Sequence, residues 1–184
     1  MSKAFTNEET AESEEDDAPE DELPTDVKNC MTPTGHAALA AEYKFLLKEE
    51  RPRIVEIVSW AAGNGDRSEN GDYLYNKKRL REIDRRVRYL TKRLDIVDVV
   101  DPRKQQGIKQ VFFGATVTYE REDGTEMTVQ LVGVDEADMA KGKINWQSPV
   151  GRALMKARAG DSVEVKATGE MLEVIDVQYV IPKE

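Results

Sequence analysis

Two carboxylates three residues apart, Asp66 and Glu69, are the residues of this sequence best suited to chemistry. They lie in the Gly- and Asn-rich turn at residues 63–70. Residues three apart on a helix are neighbours on one face, so the two side chains would form an exposed pair. Proteins typically hold Mg²⁺ with one or two carboxylates, water and substrate phosphates. The pair could therefore supply part of a magnesium site that another molecule completes.

The same spacing also fits a purely structural role. Asp66 followed by Glu69 matches a capping box, in which both side chains accept from backbone groups at a helix start. Ser68 is a second candidate N-cap, and Gly63 and Gly65 can end a helix and reverse the chain. On the residues alone, both roles remain open.

The turn is predicted to join two long helices. Thr32 and Pro33 mark the start of the first, with Thr as N-cap and Pro at the first helical position. Pro52 falls inside this arm and is expected to kink or split it. In the second arm, apolar residues step by three and four, as in a coiled coil, at Leu80, Ile83, Val87, Leu90, Leu94 and Val97. We expect an antiparallel hairpin on the order of 40 Å long, with the carboxylates at its far end.

Charge is distributed unevenly along the chain. Residues 77–93 contain nine basic and two acidic residues, more than solubility needs, which favours a surface facing a polyanion. Residues 1–26 contain eleven acidic residues and one lysine, and this composition is typical of disorder. One hypothesis is that this tail folds back on the basic helix and competes with a polyanion.

The C-terminal part follows a period of two. Strands are predicted at 111–119, 127–134, 162–165 and 172–179. Ser148 and Pro149 begin a short helix, as cap and first residue. This pattern predicts a small antiparallel sheet with one helix, and the whole chain is α+β. The predicted parts are an acidic tail at 1–29, the hairpin at 30–100, a linker at 101–109 and the sheet module at 110–184.

Some classes of protein are disfavoured by what the sequence lacks. Cys30 is the only cysteine and His36 the only histidine, so an intrachain disulfide is impossible and His-based metal sites or catalytic triads have little to draw on. No run approaches the roughly 18 apolar residues of a membrane span. The acidic N-terminus does not match a secretion signal. We therefore expect a cytoplasmic protein without a membrane partner.

Together, the turn, the basic heptad run and the sheet module resemble the bacterial Gre transcript cleavage factors, most closely the GreB type. The resemblance covers about residues 31–181. The matching residues are Gly65 to Asn70 with Asp72 and Tyr73, Tyr75 to Leu90, Val111 to Gly114, Val132 and Gly133 with Asp135 and Glu136, and Ser148 with Pro149. It implies an FKBP-like fold for the sheet module and a monomer whose hairpin enters the secondary channel of RNA polymerase.

The resemblance also implies roles for particular residues. Asp66 and Glu69 would help the polymerase to hold Mg²⁺ and orient water while it cuts the 3′ end of its own backtracked RNA. The chain alone would be no nuclease and would bind no metal independently. The implied RNA-contacting residues are Lys77, Lys78 and Arg81, and the implied polymerase-docking residues are Asp135, Ser148 and Pro149.

Two positions depart from the family pattern, and alternatives follow. Gly71 stands where alanine is usual, and Gln147 where Asp or Asn is frequent. One alternative is an anti-Gre regulator that occupies the channel without stimulating cleavage, although the intact tip acids count against it. Another is a free-standing nucleic-acid-binding coiled coil, which the net charge of about +1 outside the tail disfavours. A prolyl isomerase activity of the sheet module rests on fold analogy alone.

Overall fold

The computed structural model describes residues 28–63 and 70–179. It contains a helical hairpin followed by a five-stranded sheet that carries one short helix. The predicted α+β class is confirmed. Within those residues, no helix is both long enough and apolar enough to cross a membrane.

The first arm of the hairpin consists of two α-helices joined by a π-helical turn. Helix α1 is Pro33–Phe45, the π-helical turn is Leu46–Glu50 and helix α2 is Arg51–Ala62. Thr32 caps α1 as predicted, accepting from the Gly35 N–H. The wider turn comes directly before Pro52, and the Arg51 N–H bonds to the Leu46 carbonyl. Pro52 clashes with the carbonyl four residues earlier in a regular helix, and the π-helical turn changes the backbone at that point without ending the arm.

The second arm is a single helix, α3, at Gly71–Asp95. Its predicted apolar seam is confirmed, because Ile83 and Leu90 are buried and Leu80, Val87, Leu94 and Val97 pack against the same core. Residues of the first arm complete this core, including Leu39, Leu46 and Ile54. The interior of the hairpin is therefore filled by aliphatic side chains.

A two-stranded parallel sheet closes the base of the hairpin. Strand β1 (Asn29–Met31) pairs with β2 (Val97–Val99), in the register Asn29 to Val97. The predicted end of the acidic tail at residue 29 falls inside β1, whose three residues are all buried. Residues 1–27 lie outside the described chain.

The C-terminal sheet has the strand order β5-β4-β3-β7-β6. The strands are β3 (Thr116–Arg121), β4 (Glu126–Val132), β5 (Lys143–Asn145), β6 (Ser162–Val165) and β7 (Glu170–Gln178), and helix α4 is Pro149–Leu154. The prediction of a wholly antiparallel sheet is wrong at one edge, because β5 runs parallel to β4. Two 3-10 turns, Val134–Glu136 and Met139–Lys141, carry the chain back between them.

The segment predicted as a linker contains one short turn, and the sheet module has a single apolar core. In the predicted linker, Pro102–Gln105 forms a 3-10 turn capped by Asp101. Alternate strand residues such as Val117, Leu131 and Val174 are buried in one core with Leu154 of α4. The sheet module thus has its own packed core beside the base of the hairpin.

Candidate functional site

Asn70 joins the two arms of the hairpin where the described parts of α2 and α3 approach the tip. Its Oδ1 accepts from the Tyr73 N–H at 3.2 Å, which caps α3, and its Nδ2 donates to the Ala61 carbonyl at 3.0 Å. One amide therefore joins the end of α2 to the start of α3. Asp66 and Glu69 belong to residues 64–69, which lie outside the described residues.

The N-cap of α3 is Asn70 rather than Asp66 or Ser68. An amide suits this position because it can accept from the helix start and donate to the other arm at once. The N-cap position that the sequence pattern offered to Asp66 or Ser68 is thus occupied by Asn70. Gly71 is the first residue of that helix, and a Cβ added there meets nothing within 4 Å. The departure at Gly71 consequently leaves the packing of the described arms unchanged.

Apart from Arg93, which pairs with Asp135, the basic residues of α3 divide into two sets. Arg79 and Arg86 point to the first arm, where Arg79 Nη2 lies 2.6 Å from Glu50 Oε1 and Arg86 Nε lies 2.7 Å from Glu42 Oε1. Hydrogen bonds from Arg86 lower the pKa of the Glu42 carboxyl below its ordinary value. These pairs, with Arg51 to Asp84, fasten the arms to each other along their length.

The second set faces outward and includes the predicted RNA-contacting residues. We name it the outer basic stripe: Lys77, Lys78, Arg81, Arg85, Arg88 and Lys92. Steps of three and four place these residues on one helical face, opposite the apolar seam. Lys77 is half-buried, with its Nζ 5.6 Å from the centroid of the Tyr73 ring, and Lys78 and Arg81 are exposed. The structure therefore brings Lys77, Lys78 and Arg81 together near the tip.

Exposed aromatic side chains flank this end of the hairpin, and the sequence analysis assigned them no role. Trp60, in the last turns of α2, is 68% exposed and Tyr75, in the first turns of α3, is 71% exposed. Both lie outside the apolar seam. Their position off the heptad steps is the signal that could have identified them.

The predicted docking residue Asp135 lies between the sheet module and the hairpin. Its Oδ2 is 2.7 Å from Arg93 Nε and 2.6 Å from Arg93 Nη2, and its Oδ1 accepts from the Tyr89 hydroxyl. The two charged side chains are only 6% and 7% exposed. Burial and the bond to Asp135 raise the pKa of Tyr89 to about 12. The Asp135 carboxylate is thus engaged within the molecule by Arg93 and Tyr89.

Ser148 and Pro149 lie at the same edge of the sheet. Strands β4 and β5 are parallel and pair Val132 with Asn145, so the segments that follow them leave from the same side. Ser148 Oγ accepts from the Gly151 N–H at 3.1 Å and caps α4, as predicted, while Pro149 is exposed. Pro149 and Gln147 line an open groove of about 520 Å³ with Arg152 and Glu164.

Among the described residues, no group of three or more His, Cys, Asp or Glu side chains is arranged to hold a metal ion. The carboxylates predicted to take part in a magnesium site are those of Asp66 and Glu69. Two carboxylates are suitable Mg²⁺ ligands, but they do not fill its coordination shell of six. Any such site would therefore need ligands from another molecule.

Comparison with known proteins agrees with this architecture. The family model described as Transcription elongation factor, N-terminal, matches residues 29–99, and that described as Transcription elongation factor, GreA/GreB, C-term, matches residues 105–179. Transcription elongation factor GreB of Neisseria meningitidis serogroup B is 55% identical over 160 residues, which is 86% of this chain and 98% of that protein. Its counterpart in Pasteurella multocida is 52% identical over 139 residues, 75% of this chain and 87% of that protein.

A solved structure, that of GreA factor homolog 1 of Thermus thermophilus, covers 83% of this chain and 99% of its own chain at 20% identity, with a TM-score of 0.39. The two family models together account for both the hairpin and the sheet module. The chain belongs to the GreA/GreB family of transcription elongation factors and is of the GreB type.

Proposed function

We propose that this elongation factor inserts its hairpin into the secondary channel of RNA polymerase and stimulates the polymerase to cleave backtracked nascent RNA. The observation that carries the proposal is the closed, narrow end of the hairpin. Asn70 holds the ends of α2 and α3 together, and the eight residues between the two helices, 63–70, include Asp66 and Glu69. The carboxylates therefore belong to the segment that a partner would meet first.

The shape of the hairpin supports delivery to a site rather than a site of its own. Two packed helices, each about 10–12 Å across with side chains, make a thin rod. Its interior is filled by the apolar seam, which leaves no room for a substrate between the arms. A thin rod with an acidic end is suited to reach a recessed active centre.

The chemistry proposed for the tip is assistance to the polymerase. When Mg²⁺ is shared between the polymerase and the tip, it supplies charge stabilisation and an activated water for RNA hydrolysis. Asp66 and Glu69 contribute negative oxygen ligands and acceptors that orient water. Since these two groups are too few for a complete site, we infer that the factor is no nuclease by itself.

The outer basic stripe supports a contact with the extruded RNA 3′ segment. Lys77, Lys78 and Arg81 lie within about 15 Å of the start of α3 along the helix axis. Lysine and arginine there would neutralise phosphates without regard to sequence, so the contact would weaken with salt.

Docking on the polymerase is proposed for the sheet edge that carries Pro149. Pro149 is exposed beside its groove, and Ser148 fixes the start of α4. Near Asp135, we propose that the polymerase contacts exposed neighbouring residues such as Val134, which is 46% exposed. We further propose a monomer acting in the cytoplasm.

The experiment is a cleavage assay on polymerase halted in a backtracked state. The proposal expects rapid shortening of the RNA 3′ end with factor and polymerase together, and none with factor and free RNA. Binding without cleavage would instead indicate a channel-occupying regulator. Tight, salt-dependent binding to naked nucleic acid without polymerase would indicate a free-standing nucleic-acid-binding protein.

A further inference from the structure

Two adjacent residues of the sheet module, Asp135 and Glu136, hold both arms of the hairpin at its base. They lie in the 3-10 turn Val134–Glu136 that follows β4. Asp135 binds the last turns of α3 through Arg93 and Tyr89. Glu136 binds the start of α1. We call this set of contacts the base joint.

The Asp135 side of the joint is a buried, charge-assisted contact. Arg93 donates to Asp135 from both Nε and Nη2, and Tyr89 donates to the other carboxylate oxygen. The Arg93 carbonyl accepts from Asn29 Nδ2 at 2.8 Å, which ties the same residue to β1. A buried ion pair with every oxygen engaged is directional, so it fixes orientation more than it adds stability.

The Glu136 side of the joint is a contact with a helix N-terminus. Glu136 Oε2 accepts from the Thr32 N–H at 2.9 Å, and Oε1 accepts from the Thr32 hydroxyl. The positive end of the α1 dipole favours this carboxylate. Two glycines permit the approach, since a Cβ on Gly35 would collide with the Glu136 side chain and one on Gly133 would collide with the Cys30 carbonyl.

A small rotation of the hairpin at the base joint would move its far end by a large distance. Helix α3 has 25 residues, about 37 Å, so a rotation of about 10° at the base would displace the far end by about 6 Å. Misplacement of a catalytic group by about 1 Å can cost a hundredfold in rate. The contacts at the base therefore decide whether the tip can reach a fixed point on a partner that holds the sheet module.

We propose that Asp135 and Glu136 are positioning residues that set the angle between the hairpin and the sheet module, so that docking of the sheet places the tip carboxylates at the reacting RNA. This rests on the proposed function. The two residues touch neither RNA nor metal; they act through α3 and α1. Removal of either carboxylate charge widens the range of hairpin angles while both parts stay folded.

The first test measures the angle without polymerase. Spin labels are placed on the exposed residues Ser59 of α2 and Lys166 of the sheet module, with Cys30→Ala removing the native thiol. The distance distribution is compared among the intact protein, Asp135→Asn, Glu136→Gln and the control Asp138→Asn. The half-buried Asp138 side chain pairs with Lys141 and accepts from the Ala140 N–H, both within its own turn. We expect a narrow distribution for the intact protein and control, and broad ones for the two joint variants.

The second test measures RNA cleavage as a function of factor concentration. We expect Asp135→Asn and Glu136→Gln to lower the rate at saturating factor at least tenfold, with the half-saturating concentration changed less than threefold. Partial unfolding would instead raise the half-saturating concentration, because it lowers the concentration of folded factor. Circular dichroism measures the folded fraction of each variant. Asp138→Asn should match the intact protein in both.

Several results would overturn the proposal. Narrow, unshifted distance distributions in both joint variants would show that the carboxylates do not fix the angle, as would broad distributions combined with a full cleavage rate at saturation. If the intact factor failed to stimulate cleavage, the proposed function would fall, while the distance distributions would still decide whether the joint sets the angle.

Discussion

Asn70 and Ala61 are joined by a hydrogen bond of 3.0 Å from the Asn70 amide to the Ala61 carbonyl. This bond crosses from the start of α3 to the last turn of α2. It brings residues 61 and 70 together in space, and Asp66 and Glu69 lie between them in sequence. The residues on either side of the acidic tip are thereby held together by a hydrogen bond between the two arms.

The hydrogen bond between the two arms leads to a prediction for Asn70. Asn70→Ala removes both the N-cap and the cross-arm donor, and loss of an N-cap costs about 1 kcal/mol. Asn70→Asp keeps an acceptor for the Tyr73 N–H and favours the helix dipole, but it cannot donate to Ala61. We expect urea unfolding to show a loss of stability in Asn70→Ala and a smaller one in Asn70→Asp.

Both Asn70 variants are expected to lower RNA cleavage at saturating factor, because neither holds the two ends of the tip together. Exposed Ser59→Ala on α2 serves as the control. Unchanged stability in Asn70→Ala would show that the side chain does not cap α3 in solution.

Much of this architecture follows from local sequence. The seam through Ile83 and Leu90 was predictable because steps of three and four place side chains on one helical face, whatever the partner. The caps at Thr32 and Ser148 were predictable because each is followed by proline at the first helical position. Neither required knowledge of distant residues.

The base joint could not be predicted in the same way. From the sequence, Asp135 is expected to be an exposed acidic residue. Only the fold brings it to Arg93, which is 42 residues away in sequence. Strands β1 and β2 have three residues each, too short for a period of two to stand out. One signal was present: Arg93 follows Leu90 by three residues, on the side of α3 that faces the protein.

A second prediction concerns alkaline pH and Tyr89. Its pKa is raised to about 12 by burial and by the bond to Asp135, whereas an unfolded tyrosine ionises near a pKa of about 10. Because the folded pKa is the higher one, the stabilisation is complete below about pH 10 and declines as pH rises from about 10 to about 12. Stability measured by urea unfolding should fall across that window.

Tyr89→Phe keeps the ring and removes the hydroxyl, so its alkaline decline should be shallower. Near-ultraviolet absorbance of phenolate should also lose one late transition in this variant. Tyr179, whose pKa is raised by burial too, should still titrate late in both proteins. Identical pH profiles for the two proteins would contradict the buried contact with Asp135.

A third prediction separates two parts of the outer basic stripe. Lys78→Ala combined with Arg81→Ala should weaken the contact with extruded RNA and lower the salt slope by about 0.7 for each phosphate that is no longer neutralised. Arg88 lies about 10 Å farther from the tip than Arg81 along the same face. We therefore expect Arg88→Ala to change the contact with short extruded RNA segments little. Crosslinking of the RNA 3′ end to the factor across a salt series measures this. If Arg88→Ala lowered crosslinking as much as the double variant, the contact would depend on the overall charge of the helix rather than on Lys78 and Arg81.

The most direct test of the central claim compares intact factor with Asp66→Asn and Glu69→Gln on backtracked polymerase. Both substitutions preserve size, and the N-cap of α3 is a different residue, Asn70. We predict that polymerase binding and thermal stability stay within experimental error, while cleavage falls at least about a hundredfold, the scale expected when one group that stabilises a transition state is removed. Cleavage at the intact rate by both variants, with binding unchanged, would show that the tip carboxylates do not assist the reaction.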